Sequence, residues 1–417
     1  MNVRITPQPL MGSVRAISSK SDAHRCLIAA ALCNAPTQVR LSDTNEDIEA
    51  TRACLEALGA HIHRQPWGFD VTPIEKTSGA PLLDCGESGS TLRFLLPLAA
   101  ALGESITFTG HGRLPQRPLS PLTEQMQKNG CTLSAPTLPF TLTGRLTPGV
   151  YTLAGDVSSQ FVSGLLFALP LLERESRIQL LSTLESRPYV EMTIQTLARF
   201  GIAIQTCENA FTVPGGQVYR SPSNMQVEGD WSSAAFFLCA GALGETVSAQ
   251  GLSLDSLQAD KALSDILTRF GATVTAGETR VQVSPASLHA AEVDVSQCPD
   301  LFPLCAVLAA VAQGESRLTG AKRLRLKESD RIRSVVLMLR ALGADVQEQE
   351  NGLTVRGGAL KGGVVDSTGD HRIAMAAAIA SIRCAQPVTV LGAECCAKSY
   401  PTFFEDFTAL GGNVHVV

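Results

Sequence analysis

Apolar positions along the chain fall into two recurring kinds of segment. In the first, apolar residues return every three or four positions and a glycine closes the run. The six instances are ACLEALGAHI (53–62), EQMQKNGCTL (124–133), QTLARFGIAI (195–204), DILTRFGATV (265–274), LMLRALGADV (337–346) and EDFTALGGNV (405–414). Each predicts an amphipathic helix tail, a glycine closing the helix in the left-handed conformation, and the start of a strand. The glycines are Gly59, Gly130, Gly201, Gly271, Gly343 and Gly411, spaced 71, 71, 70, 72 and 68 residues apart. One such glycine says little, but six in one register predict six copies of a single unit.

The second kind of segment is apolar almost all round and runs in the same register. It comprises SKSDAHRCLIAAALC, GSTLRFLLPLAAALG, SSQFVSGLLFALPLL, WSSAAFFLCAGALG, PDLFPLCAVLAAVAQG and DHRIAMAAAIASIRC. The marker residues Lys20, Ser90, Ser159, Ser232, Asp300 and His371 lie 70, 69, 73, 68 and 71 residues apart. Helices without a polar face belong inside a unit, and here their polar groups are confined to the first turn. Short β-rich stretches such as VRLSDT, SITFTG, RIQLL and VTVLGA fill the gaps. The expected fold is α+β: two similar lobes of three units each. Lobe I takes residues 1–15 plus 229–417 and lobe II residues 16–228, with a ligand site expected in the cleft separating them. The chain should cross near residues 12–18 and 225–232, so lobe closure on ligand is also expected.

Composition narrows the function. A chain of 417 residues exceeds one ordinary core, in keeping with two domains. A net charge of −5 and a pI near 5.9 give no basic field for nucleic acid, so an anionic ligand must be held by local clusters of Lys and Arg. The N-terminal MNVRITPQPL lacks the apolar stretch of a signal peptide. The longest apolar run, LFPLCAVLAAVA (301–312), is short of the roughly 20 residues needed to span a bilayer. Twelve cysteines contain no C-x-x-C pair and read as buried thiols in a reducing cytosol. A cytoplasmic monomer with no nucleic-acid or membrane partner is expected.

The chemistry gathers at the apolar helix starts. SSKSDAHR (18–25) has the Lys-Ser of a phosphate-binding loop, yet Val14 and Ser19 occupy the positions where that loop needs glycine. Helix N-termini carry unpaired N–H groups and a positive dipole end, so several of them aimed at one place would bind anions even in an acidic protein. Basic residues accumulate there: Lys20, Arg25, Arg93, Arg113, Arg117, Arg187, the run KRLRLKESDRIR (322–333), Arg372 and Lys398. If LKESDR is helical, Lys327 and Arg331 share a face and Glu328 turns about 100° away. Each residue also has a plainer reading. Ser158, Ser159 and Asp300 could be helix caps, the Ser186–Tyr189 segment a turn or helix entry, and His371 a capping or surface histidine. His61 and His63 alternate on a strand without a third ligand, so no metal is expected. Trp67 and Trp231 are assigned to packing.

SSKSDAHR, GESGSTLR (86–93), GRLPQRP (112–118), VSSQ (157–160), SRPY (186–189), EGDWSSAA (228–235), LKESDR (326–331), GDHR (369–372) and AKSYP (397–401) occur in this order. Together they resemble the 5-enolpyruvylshikimate-3-phosphate synthase family over nearly the whole chain. The resemblance implies two lobes, each of three βαβαββ units around buried parallel helices. It implies transfer of the enolpyruvyl group of phosphoenolpyruvate to the 5-hydroxyl of shikimate-3-phosphate by addition and elimination, with release of phosphate, and no metal or organic cofactor. It assigns Asp300 as base and Glu328 as acid, with Lys20 as its partner. Lys20, Ser21, Arg25, Ser158, Ser159, Gln160, Ser186, Tyr189, Asp300 and Lys327 would bind shikimate-3-phosphate. Lys20, Gly89, Arg117, Gln160, Arg331, Arg372 and Lys398 would bind phosphoenolpyruvate.

This chain departs from the family in places. Ile17-Ser18 replaces Pro-Gly, Glu87 stands where Asn is usual, and Arg323 aligns with an Asn. Gly89 is where glyphosate-tolerant members often carry Ala, so inhibitor access is expected. Two other readings stay open. One is the sister transferase acting on UDP-N-acetylglucosamine, although its usual loop Cys is missing from GHGRLPQRP and Lys20-Ser21 replaces its Lys-Asn. The other is a non-catalytic anion binder, against which the presence of both Asp300 and Glu328 argues.

Overall fold

The computed structural model describes residues 1–75, 79–103 and 105–417. The chain divides into two compact units, Ser18–Val227 and Met1–Ile17 with Glu228–Val417. Six four-stranded sheets share one order: an outer strand parallel to the second, the second antiparallel to the third, and the third antiparallel to the fourth. Three sheets fall in each unit, which is the six-fold α+β repeat that the glycine spacing predicts.

In Ser18–Val227 the central strands of the sheets are Thr37–Arg40, Ile106–Thr109 and Ser176–Leu180. Alternation sets their faces: Val39 pairs with Phe69 and Thr37 with Val71, placing Val39, Phe69 and Val71 inward, all buried. The helices Lys20–Ala31, Gly89–Leu102 and Ser159–Ala168 fill the interior, where Phe94 meets Phe167 at 5.8 Å between ring centroids. Amphipathic helices Glu46–Ala57, Leu122–Lys128 and Arg187–Arg199 keep one side to solvent.

The other unit repeats the plan, with buried helices Trp231–Leu243, Phe302–Val311 and His371–Ala380 and outer helices Leu263–Arg269, Arg331–Ala341 and Phe403–Ala409. Its last sheet takes Val3–Thr6 between Val388–Leu391 and Asn413–Val416, joining both ends of the chain. The six closing glycines have φ of 100°, 96°, 78°, 97°, 86° and 97°, a conformation that costs a side-chain-bearing residue about 1 kcal/mol or more.

Five of the buried helices start with a side-chain cap, from Ser19, Ser88, Ser158, Asp230 and Asp370. The sixth does not. Asp300 lies inside a short 3-10 turn, Pro299–Leu301, that leads into Phe302–Val311, so its carboxylate is not spent on capping. His371 is buried rather than on the surface, and the capping there is done by Asp370. Trp231 is packed as expected, donating Nε1–H to the Ser253 carbonyl, whereas Trp67 is an exposed residue of a hairpin turn. All twelve cysteines are free thiols; ten are buried, Cys207 is exposed and Cys395 half-buried. Among the described residues no helix is long and apolar enough to cross a membrane.

Candidate active site

In Ser18–Val227 the candidate residues sit at the N-terminal ends of the three buried helices and of Arg187–Arg199, apart from Arg117, which follows the 3-10 turn Leu114–Gln116. Lys20 opens its helix and donates to Asp47 at 2.9 Å. Arg25, one turn on, is buried over the face of Phe94 at 5.1 Å. Its three guanidinium nitrogens donate to Thr193 Oγ1 at 2.8 Å, the Ser21 carbonyl at 2.5 Å and the Tyr189 carbonyl at 2.7 Å. Arg25 thus ties together the backbone of Ser21 and Tyr189, two other candidate ligands. Burial lowers its pKa to about 10, partly offset by Asp22, and it stays charged at neutral pH.

Gly89 begins Gly89–Leu102, with Ser88 as cap. Two buried guanidiniums close over this helix end. A Cβ on Gly89 would lie 2.8 Å from Nη1 of both Arg93 and Arg117, so only glycine lets them approach so closely. Arg93 in turn donates to Gln160 Oε1 at 2.9 Å, and Gln160 donates to Ser90 Oγ at 2.8 Å. A helix N-terminus, two arginines and an amide thereby meet in one place, and this is anion-binding chemistry.

Ser158 caps Ser159–Ala168, as the plainer reading allowed, and Ser159 is buried beside it. Ser186 is buried at the entry to Arg187–Arg199 with φ 52°, a left-handed conformation that non-glycine residues keep only where surroundings enforce it. Ser163 and Thr193 join these two helices by a 2.8 Å hydrogen bond.

The second set lies in the unit of Met1–Ile17 and Glu228–Val417 and forms one ion network. Arg331, 1% exposed, donates to Asp370 through Nε at 2.9 Å and Nη2 at 3.2 Å, to Asp300 at 2.8 Å and to Glu328 at 2.7 Å. Arg372 donates to the other oxygen of Asp300 at 3.0 Å. Lys327 stands 3.8 Å from Asp300 and Lys398 3.9 Å from Glu328. Four cations here meet three carboxylates. An isolated buried charge would cost several kcal/mol, so each of these charges depends on its oppositely charged neighbours.

The electrostatics follow from this packing. Burial works to raise the Asp300 carboxyl, but Arg372, Lys327 and Arg331 hold it well below the usual carboxylate range. Burial lowers Lys327 to about 8 against the pull of Asp300 and Glu328. Arg331 is held above its ordinary value: burial opposes its charge, and Asp370, Glu328 and Asp300 outweigh burial.

LKESDR is not helical, so the shared helix face considered for Lys327 and Arg331 does not form. A 3-10 turn, Lys322–Leu326, ends before it, and Asp330 caps a helix that starts at Arg331, accepting from the Arg333 N–H. The extended backbone at Lys327 and the cap at Asp330 let both Lys327 and Glu328 reach the Arg331 network. Arg323 donates to the Ser296 carbonyl at 2.7 Å. Glu87 lies 3.9 Å from His111 on the surface.

Three contributors carried little signal in the sequence. Asp47 reads as an ordinary acidic residue complementing a helix start, yet it pairs with Lys20. Arg93 was one basic residue among many. Asp370 lies within GDHR, but capping explains it until Arg331 is placed beside it. Among the described residues no group of three or more His, Cys, Asp or Glu side chains is placed so that it could hold a metal ion.

Residues 5–407 match the family model for EPSP synthase (3-phosphoshikimate 1-carboxyvinyltransferase). A 3-phosphoshikimate 1-carboxyvinyltransferase of Clostridium kluyveri is 44% identical over 420 residues, covering 99% of this chain and 98% of that protein. The structure of EPSP synthase from Acinetobacter baumannii superposes with a TM-score of 0.84 at 26% identity over 100% of both chains. The enolpyruvyl transferase NikO from Streptomyces tendae shares the fold, with a TM-score of 0.80 at 19% identity over 99% of this chain and 98% of that one. The chain belongs to the EPSP synthase family.

Proposed function

We propose that this member of the family transfers the enolpyruvyl group of phosphoenolpyruvate to the 5-hydroxyl of shikimate-3-phosphate, acting as a cytoplasmic monomer without metal or cofactor. The observation that carries the reading is the shared guanidinium of Arg331, which holds Asp300 at 2.8 Å and Glu328 at 2.7 Å. A base and an acid are thereby fixed within one side chain's reach of each other, among cations suited to a substrate with a carboxylate and a phosphate.

Asp300 takes the proton of the 5-hydroxyl as its oxygen bonds to C2 of phosphoenolpyruvate. Glu328, with Lys20 as partner, delivers a proton to C3. In the elimination the C2–O bond to phosphate breaks and C3 returns its proton, restoring the double bond. The balance closes when the hydroxyl proton leaves with the phosphate. Arg331 and Arg372 clamp the phosphoenolpyruvate carboxylate. Lys20, Arg117, Lys398, Gln160 and the backbone at Gly89 hold its phosphate. Ser158, Ser159, Ser186 and Lys327 hold the acceptor phosphate, while Ser21, Arg25, Gln160 and Tyr189 orient the ring. Arg93, packed with Arg117 over Gly89, joins the phosphate group.

The test is phosphate release from phosphoenolpyruvate with shikimate-3-phosphate or UDP-N-acetylglucosamine as acceptor. Release with the first alone is expected; release with only the second would overturn the reading. Asp300→Ala should lower kcat by about 10²–10⁴-fold while shikimate-3-phosphate still binds, and unchanged turnover would remove Asp300 as the base.

A further inference from the structure

Four polar side chains without solvent exposure, His24, Thr51, Thr91 and Ser88, run in a line through the interior of Ser18–Val227 and have no part in the chemistry above. His24 Nδ1 lies 2.7 Å from Thr51 Oγ1, and Thr51 Oγ1 lies 2.6 Å from Thr91 Oγ1. The Thr91 hydroxyl donates to Ser88 Oγ at 2.7 Å, and Ser88 also accepts from the Thr91 N–H at 3.2 Å. The line joins Lys20–Ala31 to Glu46–Ala57 and then to the start of Gly89–Leu102, whose cap is Ser88.

Proton counting gives the line one direction. A hydroxyl has a single proton to donate. Thr91 gives its proton to Ser88, so Thr51 must donate to Thr91, and His24 must then donate to Thr51 from Nδ1. Nε2 is left as the unprotonated nitrogen, and among the described residues it has no hydrogen-bond partner. The ring packs edge to face on Phe94, with centroids 6.5 Å apart. A buried acceptor left unbonded lowers stability, and an apolar side chain of similar size would avoid that loss, so stability alone does not account for an imidazole here. The ring stays neutral: burial lowers its pKa to about 3, with Asp47 opposing and Lys20 and Arg25 adding to the fall.

Two helix starts of the candidate site are tied together by this line. Lys20 and His24 are four residues apart on one helix, and Asp47 and Thr51 are four apart on the other, so the two pairs stack as rungs between the same helix faces. The outer rung is Lys20–Asp47 at 2.9 Å; the inner rung, His24–Thr51, continues to Ser88 beside Gly89. We propose that His24 is a positioning residue: by donating into this line it fixes the Lys20 helix start against the Gly89 helix start, the two ends assigned to the phosphoenolpyruvate phosphate. This rests on the reading of those two ends as phosphoenolpyruvate ligands.

The experiment compares three variants by thermal unfolding and by phosphate release against each substrate. His24→Leu fills the space without a donor, His24→Asn keeps a side-chain N–H near the place of Nδ1, and Thr91→Val cuts the line in the middle. In His24→Leu, KM for phosphoenolpyruvate should rise about five- to tenfold, the worth of one ordinary hydrogen bond, while KM for shikimate-3-phosphate changes by less than about threefold. His24→Asn should recover most of that loss. Thr91→Val should match His24→Leu, and the two combined should add nothing further, because both break one line. A merely structural role would lower the unfolding temperature and leave KM of the folded protein unchanged. A wild-type KM in folded His24→Leu overturns the proposal, and so does full additivity of the pair. If His24→Leu does not fold, KM in Thr91→Val decides in the same way. Nitrogen NMR of the wild-type imidazole needs no variant: the proton should sit on Nδ1, and a proton on Nε2 overturns the direction of the line and the proposal with it. Wild-type phosphate release is measured first; its absence with both acceptors sinks the functional reading, whereas an unchanged KM in folded His24→Leu sinks this inference alone.

Discussion

Gly89→Ala isolates what the two arginines at the helix start do. The added Cβ would sit 2.8 Å from Nη1 of Arg93 and of Arg117, and 2.9 Å from Cζ of Arg117, where ordinary contact begins at 3.4 Å. Both guanidiniums must therefore retreat by about 0.6 Å. The fold should not suffer. Gly89 is the first residue of Gly89–Leu102 and its φ is not left-handed, so Ala fits the backbone and favours the helix by up to about 1 kcal/mol.

The cost falls on the ligand. A charge-assisted hydrogen bond of about 2.8 Å stretched by that much lies at the edge of bonding, and each is worth about 1.5–3 kcal/mol. Weakening two of them by roughly half removes about 1.5–3 kcal/mol, or about 10–150-fold in affinity. Phosphate release at saturating shikimate-3-phosphate should show KM for phosphoenolpyruvate raised by that factor and the unfolding temperature unchanged or higher. Glyphosate, expected to inhibit the wild type, should inhibit the variant less. An unchanged KM in a folded variant would mean that neither arginine touches the phosphate. Wild-type turnover indifferent to millimolar glyphosate would refute the inhibitor's access at Gly89.

Lys327 and Asp370 give two further tests. With its pKa lowered to about 8, Lys327 is half charged at pH 8 and mostly neutral at pH 9, so shikimate-3-phosphate affinity should fall about fivefold between pH 8 and 9. Lys327→Arg, which keeps its charge, should flatten that fall; calorimetric affinities constant from pH 7 to 9 in the wild type would refute it. Asp370→Ala removes both a cap and the bidentate partner of a buried arginine, and should cost about 3–5 kcal/mol in urea unfolding. A loss below about 1 kcal/mol would show that Asp300 and Glu328 alone satisfy Arg331.

The repeat was legible because its signals are local. A glycine after an amphipathic run and a polar first turn before an apolar one each depend on a few neighbouring residues, and six recurrences fixed the period. Local reasoning failed where two local preferences competed. In LKESDR the charge spacing suits a helix, but the side-chain cap of Asp330 starts that helix only at Arg331. His371 read as a capping or surface residue because its own polarity is the only thing the sequence displays. What no local reading supplies is the partner of each charge: only the fold gives Asp47 to Lys20 and Gln160 to Arg93.

The period nevertheless holds part of that answer. Arg372 pairs with Asp300 across 72 residues, Gln160 with Ser90 across 70, and Arg93 with Gln160 across 67. Each separation is close to one repeat. Equivalent helix starts in successive copies become neighbours, so a cation at one start tends to meet whatever polar group occupies the next. An acidic chain can in this way build concentrated cationic surfaces: each unit gathers its polar first turns by symmetry, and pairs most of their charges internally until an anion competes for them. That competition explains why Asp300 is bound by arginines that the same reading assigns to phosphoenolpyruvate. On the proposed assignment, the substrate carboxylate displaces a carboxylate of the protein, and the carboxylate displaced is the proposed base.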